Sequence, residues 1–328
     1  MSAVTLTGGA ARPLRIGIML RTLQEKGGIG VYSENITREL LDLRRGHEFV
    51  LLYSDERHVG RFGERSGVTE RVLRAPGKAL WDQLAVPLAC VRDRIDVLFH
   101  PKFTVPFAAP CPSVMVLHGA GWFMPEHARF WGRADRAYLR VAMPLYCRRA
   151  GVVLAVSNIT RTTFADVLGI PEGKIRTVYF APARLFRRVH DAERIASVRE
   201  KYALPEKFVL TLSGWTKGPR KNIGTILEAY RAVHGSVPHA LVVAGKDCDR
   251  FREAHDIPGT GWGADVHFPG WVDQVDLPVF YTLADAFLYP SFVEAFPVPI
   301  TESLACGVPI VTSDANGTAD GSCRWRRE

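Results

Sequence analysis

Leu14-Arg15-Ile16-Gly17-Ile18-Met19-Leu20, followed by Gly27-Gly28-Ile29-Gly30 and a helical apolar pattern from Val31 to about Arg44, decides the fold class. A short, nearly continuous apolar run leads through a glycine turn into a helix, as in a parallel sheet covered on both faces. Working outward, the same alternation predicts strands at Glu48–Tyr53, Asp96–Phe99, Ser113–Leu117, Val152–Val156 and Ile175–Tyr179. Helices are expected over Trp81–Arg94, Ala134–Arg149 and Ile159–Val167. The charged stretch Arg184 to Lys201 has no strand pattern and reads as a link. Beyond it the alternation restarts, with strands Phe208–Ser213, Ala240–Ala244, Val266–Phe268, Ala286–Tyr289 and Val308–Thr312. Helices Ile223–His234, Leu277–Ala284 and Pro299–Ala305 lie between them. The expectation is an α/β protein of two Rossmann-like βαβ domains facing across a cleft. The domains are placed at 1–187 and 207–328, joined by 188–206.

Length and composition agree with this. A chain of 328 residues, 47% hydrophobic and 23% charged, suits two globular domains with a core each, and excludes a disordered or collagen-like chain. No stretch approaches the ~18 apolar residues of a membrane span. Residues 1–13 lack the apolar core of a secretory signal, so none is expected, and the scattered cysteines fit a reducing cytoplasm. The six cysteines are scattered without a Cys-x-x-Cys pair, so neither a zinc site nor a disulfide framework is expected. The formal charge of +8 carries no nucleic-acid motif with it. Basic and aromatic residues do gather in Trp122–Arg149, including Arg129, Arg133, Arg136, Arg140, Arg148 and Arg149. That pattern fits a core helix with a solvated basic face, or peripheral contact with an anionic lipid surface. After Thr312 no amphipathic pattern remains to cover the last strand, so the second domain is expected to be incomplete.

The richest stretch for chemistry runs from Tyr289-Pro290-Ser291-Phe292-Val293-Glu294 to Glu302-Ser303-Leu304-Ala305-Cys306-Gly307-Val308-Pro309. Pro299 suits a first helical turn and Gly307 the position past the helix end. This places Glu302 in the first turn and Glu294 in the loop before it. A strand end, a loop and a helix start make a corner suited to anions and sugars. Two carboxylates there can accept hydroxyls from two parts of one polyhydroxylated ligand, each bond contributing about 1.5–3 kcal/mol. The structural alternative is that Glu302 complements the helix dipole and Glu294 is solvated. Lys221 is expected to begin a helix after a strand, where its ammonium and the helix N–H groups reach one anion, with Arg220 beside it. Simple solvent exposure is the alternative for this lysine. Gly28 and Gly30 permit close backbone approach, although the full Gly-x-Gly-x-x-Gly pattern is absent and a plain turn is the alternative. His118 ends a strand, a place for functional groups in such sheets or for a structural histidine. Asp247-Cys248-Asp249 imitates an Asp-x-Asp metal motif but follows an ordinary strand, and no metal site is expected.

Glu294 and Glu302 with seven residues between them, then Ala305-Cys306-Gly307-Val308-Pro309-Ile310-Val311, resemble the signature of the family-4 retaining glycosyltransferases, which have the GT-B fold. The resemblance extends along the chain. It includes Gly27–Gly30, Asp96-Val97-Leu98-Phe99-His100-Pro101, Val114–His118 and Val156–Arg161. It also includes Gly214 with Pro219-Arg220-Lys221-Asn222, and Gly270-Trp271-Val272. Their order and spacing, more than any one of them, make the match specific. The resemblance implies metal-independent transfer of a sugar, mannose being one candidate, from a nucleotide-diphosphate sugar to a glycan or lipid-linked acceptor. It further implies a cytoplasmic enzyme, with peripheral contact at the inner face of the cell membrane as a candidate feature. By the same resemblance Lys221 and Arg220 hold the diphosphate, Glu302 the ribose hydroxyls and Glu294 a hydroxyl of the donor sugar. Phe296 lies beside the donor, Gly28 and Gly30 line the phosphate and acceptor, and His118 sits next to the reacting sugar.

There are departures. Ala295 and Pro297 stand where the family usually has glycines, Gly119 follows His118 where an Asp is frequent, and Trp215 replaces a frequent Arg. Ser313–Thr318 still resembles the family, but the sequence after Ala319 does not, which reads as C-terminal truncation. The alternative function is therefore a non-catalytic, truncated nucleotide-sugar-binding remnant. A GT-B epimerase or phosphorylase fits the donor motifs less well.

Overall fold

A computed structural model of the chain describes residues 12–314, apart from residues 26, 44, 120, 125–129, 216 and 217. The tail whose loss of pattern suggested truncation, together with Arg129 and Cys323, falls outside the described residues. The first half contains β1 (Arg15–Met19), α1 (Gly28–Leu43), β2 (Glu48–Tyr53) and β3 (Val68–Val72). Next, α2 (Lys78–Leu80) continues through a π-helical turn at Trp81–Ala85 into α3 (Val86–Arg92). Then come β4 (Val97–His100), β5 (Ser113–Leu117), α4 (Arg133–Arg149), β6 (Val152–Ala155), α5 (Asn158–Leu168) and β7 (Ile175–Thr177). The second half holds α6 (Ala192–Lys201), β8 (Phe208–Leu212), α7 (Gly218–Lys221), α8 (Ile223–Val233), β9 (Ala240–Ala244) and α9 (Arg250–Ala254). It ends with β10 (Val266–Gly270), α10 (Leu277–Leu283), β11 (Ala286–Tyr289), α11 (Val298–Ala305) and β12 (Ile310–Thr312).

Two sheets result, of seven strands ordered β3-β2-β1-β4-β5-β6-β7 and of five ordered β10-β9-β8-β11-β12. The pairings β1–β2, β1–β4, β2–β3 and β4–β5 are parallel, as are all four of the second sheet. Each sheet reverses its strand order once, beside β1 in the first and beside β8 in the second. Open α/β sheets receive ligands at such switch points, outside the C-terminal ends of the strands. By contact density the chain forms two compact units. One holds the residues up to His118 with Tyr138–Leu154 and Leu168–Arg176; the other holds Gly119–Ala137, Ala155–Val167 and the chain from Thr177 onward.

The period-2 alternation of the strands builds the second sheet's two cores. Leu241 and Val243 of β9 pack with Ile223, Ile226, Leu227 and Tyr230 of α8. Their neighbours Val242 and Ala244 pack on the other face with Val279, Phe280 and Ile300. Each such side chain, once fully buried, contributes about 1.5–3 kcal/mol. The stretch expected to be a link contains α6. Its Asp191 side chain accepts the Arg194 N–H at 3.1 Å as an N-cap, and Val198 is buried in the second sheet's core beside Phe186 and Leu204. The apolar positions Ile195, Val198 and Tyr202 carry the helical period there, diluted by charge. Strand β3 has no counterpart among the expected strands. It is an edge strand bearing Glu70 and Arg71, the kind of charged edge that resists pairing with another chain.

Candidate donor site in the second unit

The segments that follow β8 and β11 leave adjacent strands at the switch point, so topology brings Arg220 and Lys221 to the loop carrying Glu294. The Phe292 backbone N–H donates to the Arg220 carbonyl at 3.0 Å, and Arg220 Nη1 donates to the Val293 carbonyl at 2.8 Å. The side chains then converge. Lys221 Nζ lies 2.6 Å and Arg220 Nη1 2.8 Å from the same carboxylate oxygen, Oε1 of Glu294. Tyr289 completes the cluster. Its hydroxyl is 3.2 Å from that oxygen and in contact with Lys221 Nζ, which also stands 4.1 Å from the centre of the Tyr289 ring.

Glu294 is 9% exposed, and burial alone would raise its carboxyl. The Lys221 and Arg220 charges, with their hydrogen bonds, outweigh that and hold it down at about 2. Glu302, eight residues on, is in the opposite state. It is 6% exposed and its Oε2 accepts the Tyr281 hydroxyl at 3.2 Å. Burial pushes its carboxyl up to about 7, and the Tyr281 bond offsets this only in part. Burial also keeps the phenols of Tyr281 and Tyr289 protonated, as donors to these two glutamates.

Two placements differ from the expectation. Lys221 does not begin a helix; it ends the four-residue α7, and Asn222, in left-handed conformation at φ 59°, precedes α8. Its charge is therefore fixed by Glu294 and Tyr289, not by a helix mouth. Nor does Glu302 lie in the first turn. Helix α11 starts at Val298, after Pro297, which puts Glu302 one turn further in, with no acidic residue in the first turn. Pro297 and Pro299 both lack an N–H, so this helix start offers fewer donors than a usual one.

Phe296 is 9% exposed, its ring centre 6.2 Å from those of Tyr179 and Phe180, so its side chain packs against the segment that follows β7. Two departures from the family pattern prove to be linked. A Cβ on Gly119, whose φ is 155°, would lie 2.9 Å from the Ala295 methyl, so the small residue at 119 and the methyl at 295 accommodate one another. Asp247-Cys248-Asp249 is a turn after β9. Its Cys248 is buried and Asp247 is left-handed at φ 54°.

Gly28, Gly30 and His118 belong to the first unit. A Cβ on Gly30 would lie 2.1 Å from the Glu25 carbonyl oxygen, so the chain's own turn demands glycine there, whereas Gly28 borders open space. His118 follows β5, and its Nε2 lies 2.7 Å from the Pro101 carbonyl. Burial pushes its pKa down to about 4, so at neutral pH the imidazole is uncharged, with Nε2–H donating and Nδ1 left as acceptor. The Tyr32 ring meets it edge-on at 4.7 Å. Tyr281 and Tyr289 are the site residues that sequence reasoning missed. Their signal is that a tyrosine in an apolar core needs a partner for its hydroxyl.

Two parallel α/β domains of this topology define the GT-B class of fold. HepE from Anabaena, crystallised with UDP-glucose, superposes at a TM-score of 0.70 with 20% identity, over 93% of this chain and 82% of that one. The family model described as Glycosyltransferase Family 4 matches residues 26–180, and the one described as Glycosyl transferases group 1 matches residues 195–322. The chain belongs to the family-4 glycosyltransferases. Among its relatives, the O-antigen chain mannosyltransferase B of Escherichia coli is 29% identical over 233 residues, which are 68% of this chain. The match spans 58% of that relative's length. The GDP-mannose-dependent alpha-(1-6)-phosphatidylinositol monomannoside mannosyltransferase of Mycolicibacterium smegmatis is 28% identical over 325 residues, 90% of this chain and 79% of that one.

Proposed function

We propose that the protein transfers a sugar from a nucleotide-diphosphate sugar to a glycan or lipid-linked acceptor with retention at the anomeric carbon, mannose being the favoured sugar. The reading is supported chiefly by the meeting of Lys221, Arg220 and Glu294 at the switch point of the second sheet. Transfer breaks the bond between the anomeric carbon and a diphosphate oxygen and forms one to the oxygen of an acceptor hydroxyl, whose proton passes to the departing diphosphate. Negative charge builds on the departing diphosphate and positive charge on the anomeric centre. Lys221 and Arg220 supply fixed cations for the first, in a partly buried setting where they act more strongly than in water. Glu294 accepts a hydroxyl of the donor sugar, and Glu302 the ribose hydroxyls. No metal is needed in this scheme, since the two cations take the part of one. The names of the relatives favour mannose and GDP-mannose.

The test is incubation with GDP-mannose and with UDP-glucose plus glycan or lipid-linked acceptors. Nucleotide release is followed, and the product's anomeric configuration is read by NMR. Release with a retained anomer supports the proposal; an inverted anomer contradicts it. Binding without turnover assigns the chain to a second reading, a nucleotide-sugar-binding protein without transfer, which the two prolines at the start of α11 favour.

Peripheral attachment to the inner face of the cell membrane belongs to the same proposal. On α4, Tyr138, Val141 and Leu145 are exposed among the exposed Arg133, Arg140 and Arg148, an apolar and cationic face suited to anionic lipid. Among the described residues no helix is long and apolar enough to cross a membrane. Flotation with phosphatidylglycerol vesicles is expected to carry the protein upward; failure to bind removes this part.

A further inference from the structure

We propose that Glu294 makes the site discriminate between an intact nucleotide sugar and the nucleoside diphosphate alone, by occupying the two cations that receive the diphosphate until a sugar hydroxyl engages it. The inference rests on the reading of Lys221 and Arg220 as diphosphate ligands. Both cations converge on one oxygen of one carboxylate, at 2.6 and 2.8 Å. The Lys221 side chain is only 12% exposed, so it is not a solvated charge waiting for an anion. An incoming diphosphate must therefore loosen an ion pair already made. That leaves a carboxylate 9% exposed with the Tyr289 hydroxyl still donating to it but no cation beside it, a costly arrangement.

An intact donor brings the remedy with it. A hydroxyl of its sugar donates to Glu294 as the cations turn to the phosphates, so every charge stays partnered. A nucleoside diphosphate has no such hydroxyl near its terminal phosphate. Specificity then arises from a penalty against the wrong ligand as much as from attraction to the right one. After transfer the remaining diphosphate is the poorly held species, and Glu294 recaptures its cations as it leaves. Tyr289, whose hydroxyl touches both Lys221 and Glu294, is the positioning residue that keeps the two within reach of each other.

The experiment is calorimetric titration of GDP, UDP, inorganic pyrophosphate, GDP-mannose and UDP-glucose into the full chain and into Glu294→Gln. In the wild type the preferred nucleotide sugar is expected to bind about tenfold or more tightly than its own diphosphate. In Glu294→Gln the diphosphate and pyrophosphate are expected to gain roughly tenfold while the sugar's advantage collapses. A Glu294→Gln protein that binds diphosphate no more tightly than wild type overturns the proposal. If that variant does not fold, the wild-type ratio alone decides, and a nucleotide sugar held no better than its diphosphate overturns it. A wild type that binds none of the five ligands overturns the functional reading as well. Tight diphosphate binding with a ratio near one overturns only this inference.

Discussion

Glu294 and Glu302 are both buried glutamates on one short stretch, yet they lie in opposite electrostatic states. Glu294 sits between two cations and is held ionised, with a carboxyl at about 2. Glu302 has a phenol for company and is pushed up to about 7. Burial of similar depth thus has opposite outcomes, decided by whether the neighbouring helix ends deliver a positive charge. Lys221 and Arg220 arrive beside Glu294 because β8 and β11 are neighbours; Glu302, one turn into α11, faces α10 instead.

The contrast can be broken at Glu294 first, where the largest effect is expected. Glu294→Ala strands two partly buried cations and is expected to cost about 3–5 kcal/mol of stability, read from chemical unfolding at pH 7. A loss below ~1 kcal/mol would show that water shares those charges. At acid pH the wild-type contribution is expected to fade. The native carboxyl lies below its unfolded value, so this stability is present above about pH 4.5 and is lost as pH falls toward 2.

Glu302 carries the opposite sign. Its native pKa is raised, so between about 4.5 and 7 the folded state holds a proton that the unfolded state has lost. Stability from this group therefore falls as pH rises through that window, by a total on the order of 3 kcal/mol. Glu302→Gln is expected to remove the decline, which unfolding at pH 5 and pH 8 would reveal; an unchanged pH slope refutes it. On the proposed role of Glu302 as acceptor of the ribose hydroxyls, nucleotide affinity in the wild type is expected to rise from pH 6 to 8 as this carboxyl ionises.

Smaller effects sharpen the comparison. Gly119→Ala is expected to cost about 1–3 kcal/mol, because its methyl meets that of Ala295 at 2.9 Å and its backbone conformation suits glycine. Adding Ala295→Gly should return the steric part, as a double-mutant cycle measures. Tyr281→Phe removes one hydrogen bond from Glu302, for about 1 kcal/mol and a further rise of that carboxyl's pKa, observable by NMR titration.

Much of the architecture was legible in advance because parallel strands are apolar on both faces. Ser113–Leu117, Ala240–Ala244 and Ala286–Tyr289 fall where the runs begin and end. Edge strand β3 was hidden by Glu70 and Arg71, and α6 by the charge around its three apolar positions. At the site, the residue types were readable but their pairing was not. Nothing in local sequence says that Lys221 ends a helical turn, or that one oxygen of Glu294 takes two cations; both depend on strand order. Tyr281 and Tyr289 are core residues whose hydroxyls reach Glu302 and Glu294. Gly30 shows that a glycine can also answer to the fold, since its missing Cβ makes room for the Glu25 carbonyl.

The central claim is that Lys221 is the cation a diphosphate meets. Calorimetric titration of GDP and UDP into wild type and Lys221→Ala, each first shown to melt cooperatively, tests it most directly. The nucleotide bound by wild type is expected to lose roughly tenfold or more in affinity in the variant. Equal affinity in the two proteins would contradict it.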